Sequence, residues 1–506
     1  MISSGRDGPK QRARSERLAR TLVWALLGVG VVLRLRAYVF GRSLWLDEAM
    51  LALNITARPF RRLLEPMEFD QAAPIGFLFV QRAAVNLFGG SEYSLRFFPL
   101  FCGIASLFLF WKVAESVLAP RASVIALGLF ALADRLVYYS AEAKQYSADV
   151  AICLLVWWVV TRVEGPGGAP HPRRWWVPAV VGAVAIWLSY PVVFILGGVG
   201  LCWAWLQVRN RHFGELWVSA ATGVIWAGSF AAAYALSLRA VSENARLAEF
   251  WSEAAAPLFP RSFDAFMWWI KALGRIAALP LGREVEELVA LGAILGGAVL
   301  FRGRIEWLLR IVIPGTLALV ASGLHKYPLA DRLWLFMIPG LLILVAAGSD
   351  AFWARTGSAW PFLGMVFGLL LLGHPTLYAA YHLVRPQQVE ETRPLLQYLA
   401  QERRAGDVLY LYYGSGPAAR YYAERGVIKL DRVVLGVFAR DDLDRYLRSF
   451  ETLRRTGRVW MLFSHVNVER GLNEEELGVL ALDAIGKRLL VRRAPGAALY
   501  LYDMGS

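Results

Sequence analysis

Apolar runs of near-bilayer length recur from residue 21 to residue 383, more than any water-soluble core of this size could bury. Inside hydrocarbon an α-helix satisfies its own backbone, so each run reads as a membrane-spanning helix. Spans are expected near 21–40, 95–113, 121–138, 148–162, 176–190, 191–207, 216–237, 286–301, 307–322, 333–348 and 361–383, about eleven in all. A content of 57% hydrophobic residues, a mean hydropathy of +0.44 and 20 Trp in 506 residues exclude a soluble enzyme. Residues 76–88 and 262–281 are apolar but interrupted, and are expected to lie in or on the interface.

Lys and Arg in short loops set the orientation of such a bundle. Arg6, Lys10, Arg12, Arg14, Arg17 and Arg20 precede the first span, and basic residues mark every second loop afterwards, at Arg173 and Arg174, Arg209 and Arg211, and Arg302, Arg304 and Arg310. The expectation is a cytoplasmic basic N-terminus (1–20), a transmembrane module (21–384) with extracytoplasmic loops 41–95, 139–147, 238–285 and 323–332, and an extracytoplasmic domain (385–506), placed in the cytoplasmic membrane of a bacterium. The net charge of +14 follows from this topology and from attraction to anionic lipid heads, and gives no argument for nucleic acid. Residues 1–33 have the basic start and apolar run of a signal peptide, yet no small-residue cleavage site follows. The first helix is therefore expected to be retained, with Arg34 and Arg36 snorkelling or facing a substrate near its outer end. Cys102, Cys153 and Cys202 fall inside apolar spans, without disulfide or metal spacing.

From Arg385 onward the apolar runs shorten and charges rise. Strand patterns at 407–413, 427–430, 459–463, 489–492 and 499–502 alternate with helical patterns at 387–404, 415–424, 441–455 and 473–485, as in a small α/β domain. Gly414-Ser415-Gly416 with Ala419 and Asp431 imitates a dinucleotide fingerprint. An extracytoplasmic domain has no routine supply of such a cofactor, and Pro417 is ordinary strand-to-helix punctuation.

The informative polar residues gather in the segments assigned to the outer face. The first loop carries Asp47 and Glu48 just past the first span, then Glu65, Glu68, Asp70 and Gln71. The second is Tyr138-Tyr139-Ser140-Ala141-Glu142-Ala143-Lys144-Gln145-Tyr146, and another is His325-Lys326-Tyr327-Pro328-Leu329-Ala330-Asp331-Arg332. Adjacent carboxylates at a lipid boundary are costly unless water, a cation or a substrate compensates them. Carboxylates, cations and aromatics meeting at a membrane surface suit transfer from a lipid-linked phosphate. Such transfer needs a carboxylate to take the incoming hydroxyl's proton and cations to stabilise the departing phosphate.

At these residues the sequence resembles the GT-C membrane glycosyltransferases, the superfamily that includes protein O-mannosyltransferases and the aminoarabinose transferases of lipid A. The resemblance rests on Asp47-Glu48 after the first helix, Asp70-Gln71-Ala72-Ala73-Pro74, Arg96 at the start of a span, Tyr139 to Tyr146, and His325 to Arg332, and it covers most of the chain. It implies an α-helical polytopic membrane fold with a C-terminal α/β domain. It also implies inverting transfer of a sugar from a polyprenyl-phosphate donor to a hydroxyl of a glycan, glycolipid or protein acceptor. In that reading Asp47 is the general base, Glu48 orients it or the acceptor, and Arg96, Lys144, and Lys326 or Arg332 bind the donor phosphate. Asp70, Gln71, Glu142 and His325 line the substrate site, and Trp45, Tyr139, Tyr146 and Tyr327 flank the sugar or the first isoprene units. Two positions depart from the family pattern. Gln71 or Ala72 stands where the family often has His before the proline motif, and Lys144 stands where it often has Arg, a point charge replacing a bidentate fork.

The same residues have plainer readings. Arg96 fits a helix-end anchor, Lys144 a partner of Glu142 or Asp149, and the aromatics an interfacial belt. No cofactor is required, although Asp47 and Asp70 could share a divalent cation if further ligands joined them. A transporter or flippase of lipid-linked sugars would also place polar residues in an apolar bundle, but with inverted repeats and mid-membrane charges that this sequence lacks. A scaffold carrying an external binding domain would tolerate loss of Asp47 and fail without the residues after Arg385.

Overall fold

The computed structural model describes residues 9–165, 171–356, 360–439, 442–469 and 471–505. Arg6 of the expected basic N-terminus lies outside them, as do the side chains of Lys10, Arg12, Arg14 and Asp331. The chain opens with α1 (Pro9–Phe40), α2 (Leu46–Ala57), α3 (Ile75–Phe88), α4 (Glu92–Val117), α5 (Pro120–Leu132), α6 (Asp134–Tyr139) and α7 (Tyr146–Val163). It continues with α8 (Trp176–Leu188), α9 (Val192–Arg209), α10 (Leu216–Ala233), α11 (Arg239–Ser242), α12 (Ala245–Phe250) and α13 (Phe263–Ala278). Four long helices complete the bundle: α14 (Glu286–Gly303), α15 (Ile305–Gly323), α16 (Ile338–Thr356) and α17 (Pro361–Val384).

Every expected span coincides with a helix. Among the described residues, 8 helices are long and apolar enough to cross a membrane, including Arg17–Phe40, Glu92–Val117 and Phe362–Val384. The expected spans at 121–138 and 176–190 are shorter apolar helices, Pro120–Leu132 and Trp176–Leu188, and the one at 286–301, α14, is not among the eight, with Glu286, Glu287 and Arg302 at its ends. The first stops where α6 turns off behind it, and the second stops at Ser189 before Pro191. This is a multi-pass membrane protein. The interrupted stretches form α3 and α13, as their amphipathic patterns require.

Close helix contact without water depends on small side chains. Gly292 and Gly296 lie on one face of α14 against Gly348 of α16. A Cβ at Gly296 would fall 1.8 Å from the Leu344 carbonyl oxygen, and one at Gly348 would fall 2.0 Å from that of Gly292. Arg34 is fully buried between α1 and α5, donating to the carbonyls of Gly30 (3.0 Å) and Ala131 (3.4 Å), so it does not snorkel. Arg36 donates to Leu383 O at 3.0 Å, tying α1 to the end of α17.

The remaining residues form a mixed sheet with helices packed on it. Its strands are β1 (Val408–Leu411), β2 (Val433–Leu435), β3 (Arg458–Ser464), β4 (Val468–Glu469), β5 (Leu472–Asn473), β6 (Lys487–Ala494) and β7 (Ala497–Asp503). The five-stranded sheet has the order β2-β1-β3-β7-β6, with β1 parallel to β2 and β3 and β7 antiparallel to β3 and β6. Its helices are α18 (Thr392–Glu402), α19 (Gly416–Glu424), α20 (Leu443–Arg448) and α21 (Glu474–Ile485). The second strand differs from expectation, since 427–430 is not a strand and β2 begins at Val433. The backbone there is spent on ending α19, where Gly426 adopts φ +74° and Val427 N donates to Tyr422 O, while Ile428 is buried against the helices. Leu44, Leu51 and Leu53 of the first loop and α2 share one apolar core with Leu396, Leu409, Tyr421 and Trp460. The sheet domain is thus built onto the segment that carries Asp47.

Gly296→Ala forces α14 and α16 apart and is expected to cost roughly 1–3 kcal/mol. Gly223→Ala in α10, where a Cβ meets nothing within 4 Å, is expected to be neutral or stabilising. Thermal unfolding of both variants in one detergent checks the pair, and equal stabilities would refute the close-contact account.

Candidate active site

The segment Gly41–Trp45 leaves α1 through a left-handed glycine and delivers Asp47 and Glu48 into the first turn of α2, where carboxylates suit the helix dipole. The two side chains diverge, and their surroundings differ accordingly.

Glu48 is completely buried and meets Arg96 of α4 as a two-pronged ion pair, with Nε donating to Oε1 at 2.9 Å and Nη2 to Oε2 at 2.7 Å. The backbone N–H of Ala143 donates to Oε1 at 2.7 Å. Arg96 spends its other donors on the carbonyls of Arg42 (2.7 Å) and Ser43 (3.2 Å). Burial alone would raise the Glu48 pKa, but Arg96 and then Arg42 outweigh it and hold the carboxyl below its usual range. Glu142 shares this buried network, 3.5 Å from Arg42 Nη2. Burial and the Glu48 carboxylate push its pKa up to about 7, against the pull of Arg42.

Asp47 faces the other way. Lys144 Nζ lies 2.9 Å from its Oδ1 and Arg332 Nη1 3.1 Å from its Oδ2. Gln71 Oε1 accepts from Lys144 Nζ at 2.6 Å, so the departure from His in the proline motif supplies an acceptor for the lysine. Burial would raise the Asp47 pKa, but Lys144 and Arg332 together hold it below the ordinary value. The Arg332 guanidinium sits 5.6 Å from the Trp45 ring and 5.9 Å from those of Tyr146 and Trp251. Tyr139 packs edge-on against Tyr146 at 5.2 Å.

The structure thus brings Asp47, Gln71, Lys144, Arg332 and Tyr146 together, with Glu48, Arg96 and Glu142 directly behind them. Lys144 pairs with Asp47 rather than with Glu142 or Asp149. Arg96 is buried and occupied by Glu48, whereas Lys144 and Arg332 are the cations beside Asp47. Asp70 stands apart, accepting from Asn244 Nδ2 at 2.7 Å, and Tyr327 is packed between Phe194 and Phe336 with its hydroxyl on Leu333 O. His325 and Lys326 are exposed on a turn, and among the described residues no side-chain hydrogen bond or ion pair joins them to Asp47. No group of three or more His, Cys, Asp or Glu able to hold a metal occurs among the described residues.

Sequence reasoning passed over Arg42, Trp251 and the sheet domain's part in the site. Glu391 Oε2 accepts from Ser43 N (3.2 Å) and Oγ (2.9 Å), Tyr422 Oη from Leu44 N (2.9 Å), and Glu390 Oε2 from Leu46 N (3.0 Å). Arg393 donates to Gly41 O at 2.7 Å. The backbone approaching Asp47 is therefore held by side chains some 350 residues away in sequence, and no local pattern signals such contacts.

No family model matches the sequence, and no curated protein matches it. Among solved structures, the chain is similar to ArnT from Cupriavidus metallidurans in the apo state, at 15% identity over 96% of this chain and 98% of that one, with a TM-score of 0.55. It is also similar to the same protein bound to undecaprenyl phosphate, at 13% identity over 96% and 97% of the two chains, with a TM-score of 0.52. The likeness runs through bundle and sheet domain alike, and the chain shares the fold of these structures.

Two outcomes follow from the buried carboxylates. Arg96→Met strands Glu48 and is expected to cost about 3–5 kcal/mol in reversible detergent unfolding, with much of the loss recovered in Glu48→Met/Arg96→Met. Glu142 binds its proton more tightly folded than unfolded, so its contribution to stability is complete below its ordinary pKa of 4.5 and lost as pH rises through about 7. Glu142→Gln should therefore match the wild type in melting temperature at pH 4 and exceed it at pH 8. A difference independent of pH would refute the assignment.

Proposed function

We propose that the protein is an inverting glycosyltransferase that moves a sugar from a polyprenyl-phosphate carrier to an acceptor hydroxyl at the outer face of the cytoplasmic membrane. The observation that carries this reading is Asp47 held between Lys144 and Arg332 at the mouth of a membrane bundle. One carboxylate and two cations are the minimum that transfer from a lipid phosphate needs. The fold adds support, since ArnT from Cupriavidus metallidurans shares it and has been seen bound to undecaprenyl phosphate.

Without donor, the two cations serve Asp47. A donor phosphate entering beside Lys144 and Arg332 draws them towards itself, which raises the proton affinity of the carboxylate at the moment it is needed. The acceptor oxygen then attacks the anomeric carbon from the face opposite the phosphate. The carbon–oxygen bond to phosphate breaks with its electron pair on the phosphate, and the hydroxyl proton passes to Asp47 as the bond forms. A carboxylate with a low pKa cannot deprotonate a free alcohol beforehand, so proton transfer accompanies leaving-group departure. Glu48 takes no proton in this scheme. With Arg96 it fixes the turn that aims Asp47.

Orientation is supported by the arrangement of basic residues. Arg20, Arg121, Arg174, Arg209, Arg304 and Arg355 flank the helix ends away from Asp47, as a cytoplasmic end requires. Arg121 pairs with Asp350 at 3.5 Å and Arg304 donates to Ser116 O at 3.4 Å on that same side. The sheet domain, docked on the Asp47 segment, is extracytoplasmic in this reading.

The test compares lipid-linked sugars and envelope glycans by mass spectrometry in the native host carrying the wild type, a deletion, or Asp47→Asn at equal expression. Loss of one sugar from a glycan in both mutants, with its polyprenyl-phosphate form accumulating, is expected. Normal glycans with Asp47→Asn would remove Asp47 as the base and favour a transporter of lipid-linked sugars.

A further inference from the structure

A cavity of about 370 Å³ opens in the sheet domain, lined by Glu390, His465, Val466, Glu475, Arg493 and Ala494 among others. Its size falls in the range of small-ligand sites, roughly 300–1,000 Å³. Its position is set by contacts already described. Glu390 accepts from Leu46 N, one residue before Asp47, through one carboxylate oxygen, and meets His465 Nδ1 at 2.8 Å through the other. The His465 ring lies 6.1 Å from the Trp45 ring, and the guanidinium of Arg332, the partner of Asp47, lies 5.6 Å from that same ring. Trp45 thus links His465 of the cavity lining to Arg332 beside Asp47.

His465 also carries a positive φ of +52°, a conformation that a side chain larger than glycine's keeps only where its surroundings over-determine it. Its Nδ1 is engaged by Glu390, which leaves Nε2 as the remaining polar atom of the ring. Across the cavity Glu475 Oε1 accepts from Arg493 Nη1 (2.9 Å) and Tyr500 Oη (2.5 Å). Two carboxylates, a guanidinium and an imidazole give acceptors and donors in the mixture that sugar hydroxyls require. A phosphate would instead face Glu390 and Glu475 with only partial compensation.

Resting on the transferase reading above, we propose that this cavity is an acceptor subsite that receives the uncharged or amine-bearing polyhydroxylated end of the acceptor beside Trp45, with His465 and Glu475 hydrogen-bonding its hydroxyls. Such a subsite separates acceptor recognition from donor-phosphate binding at Lys144 and Arg332. It also gives the sheet domain a part in specificity.

Cys102, Cys153 and Cys202 are all buried, so a cysteine introduced on the cavity wall can be labelled selectively. Membrane vesicles from the native host would carry Ala494→Cys, before and after reaction with a bulky maleimide, and transferred sugar would be read by mass spectrometry. The melting temperature of the purified full chain would be measured with and without polyprenyl phosphate. The expected result is that whatever transfer the unlabelled variant supports is lost on labelling, with stabilisation by polyprenyl phosphate in both states. Transfer that persists with the cavity filled overturns the proposal, as does a label that abolishes the stabilisation as well. His465→Asn, which tolerates the left-handed backbone, is expected to lower transfer about tenfold or more without changing that stabilisation, and unchanged transfer would also overturn the proposal. A wild type that neither transfers sugar nor is stabilised by polyprenyl phosphate overturns the transferase reading itself.

Discussion

The buried pair between Glu48 and Arg96 is the interaction on which the rest of the site depends. It joins three segments that are far apart in sequence. These are residues 42–48, which supply the carbonyls of Arg42 and Ser43 and the first turn of α2, the start of α4, and the backbone of Ala143. Neither charge reaches water, so each is tolerable only because the other, with its hydrogen bonds, is in place. The pair fixes the helical turn that carries Asp47, about 100° round the helix from Glu48, where Lys144 next to Ala143 and Arg332 from a further segment reach it. The division of labour between the adjacent carboxylates thus comes from environment. One is locked in a dry network, and the other is held by two cations that, in the proposed reaction, a donor phosphate draws away.

The same geometry explains why the chain carries a sheet domain after its last long helix. The strand order places β1 and β3 over the first loop, and Glu390, Glu391 and Arg393 precede or open α18 where they meet residues 41–46. The apolar core shared by α2 and the sheet makes the two parts one folding problem. In the proposed reaction, the domain that holds the backbone leading to Asp47 also presents a polar cavity next to Trp45, so positioning and acceptor recognition share one interface.

Much was legible in the amino-acid order alone because hydrocarbon imposes a length and a composition on each span. The expected spans and the helices at the two interrupted apolar stretches needed only hydropathy and residue pattern. Asp47, Gln71, Lys144, Arg332 and Tyr146 were identifiable as polar or aromatic residues at span ends. Val427–Leu430 misled because β-branched and apolar residues serve a helix cap and a core as readily as a strand.

Partnership could not be read in this way. Whether Lys144 would pair with Glu142, Asp149 or Asp47, and whether Arg96 would face a phosphate or a carboxylate, depended on the distances between segments 48 or more residues apart. The roles of Glu390 and His465 lay further off still, across 344 residues from Leu46 in the first case. By itself the sequence determined a multi-pass helical bundle with an α/β domain and a set of chemically apt residues, because burial in lipid is decided residue by residue. Only the tertiary structure decided which charges neutralise one another, because a buried ion pair depends on angstrom-scale geometry that local pattern does not encode.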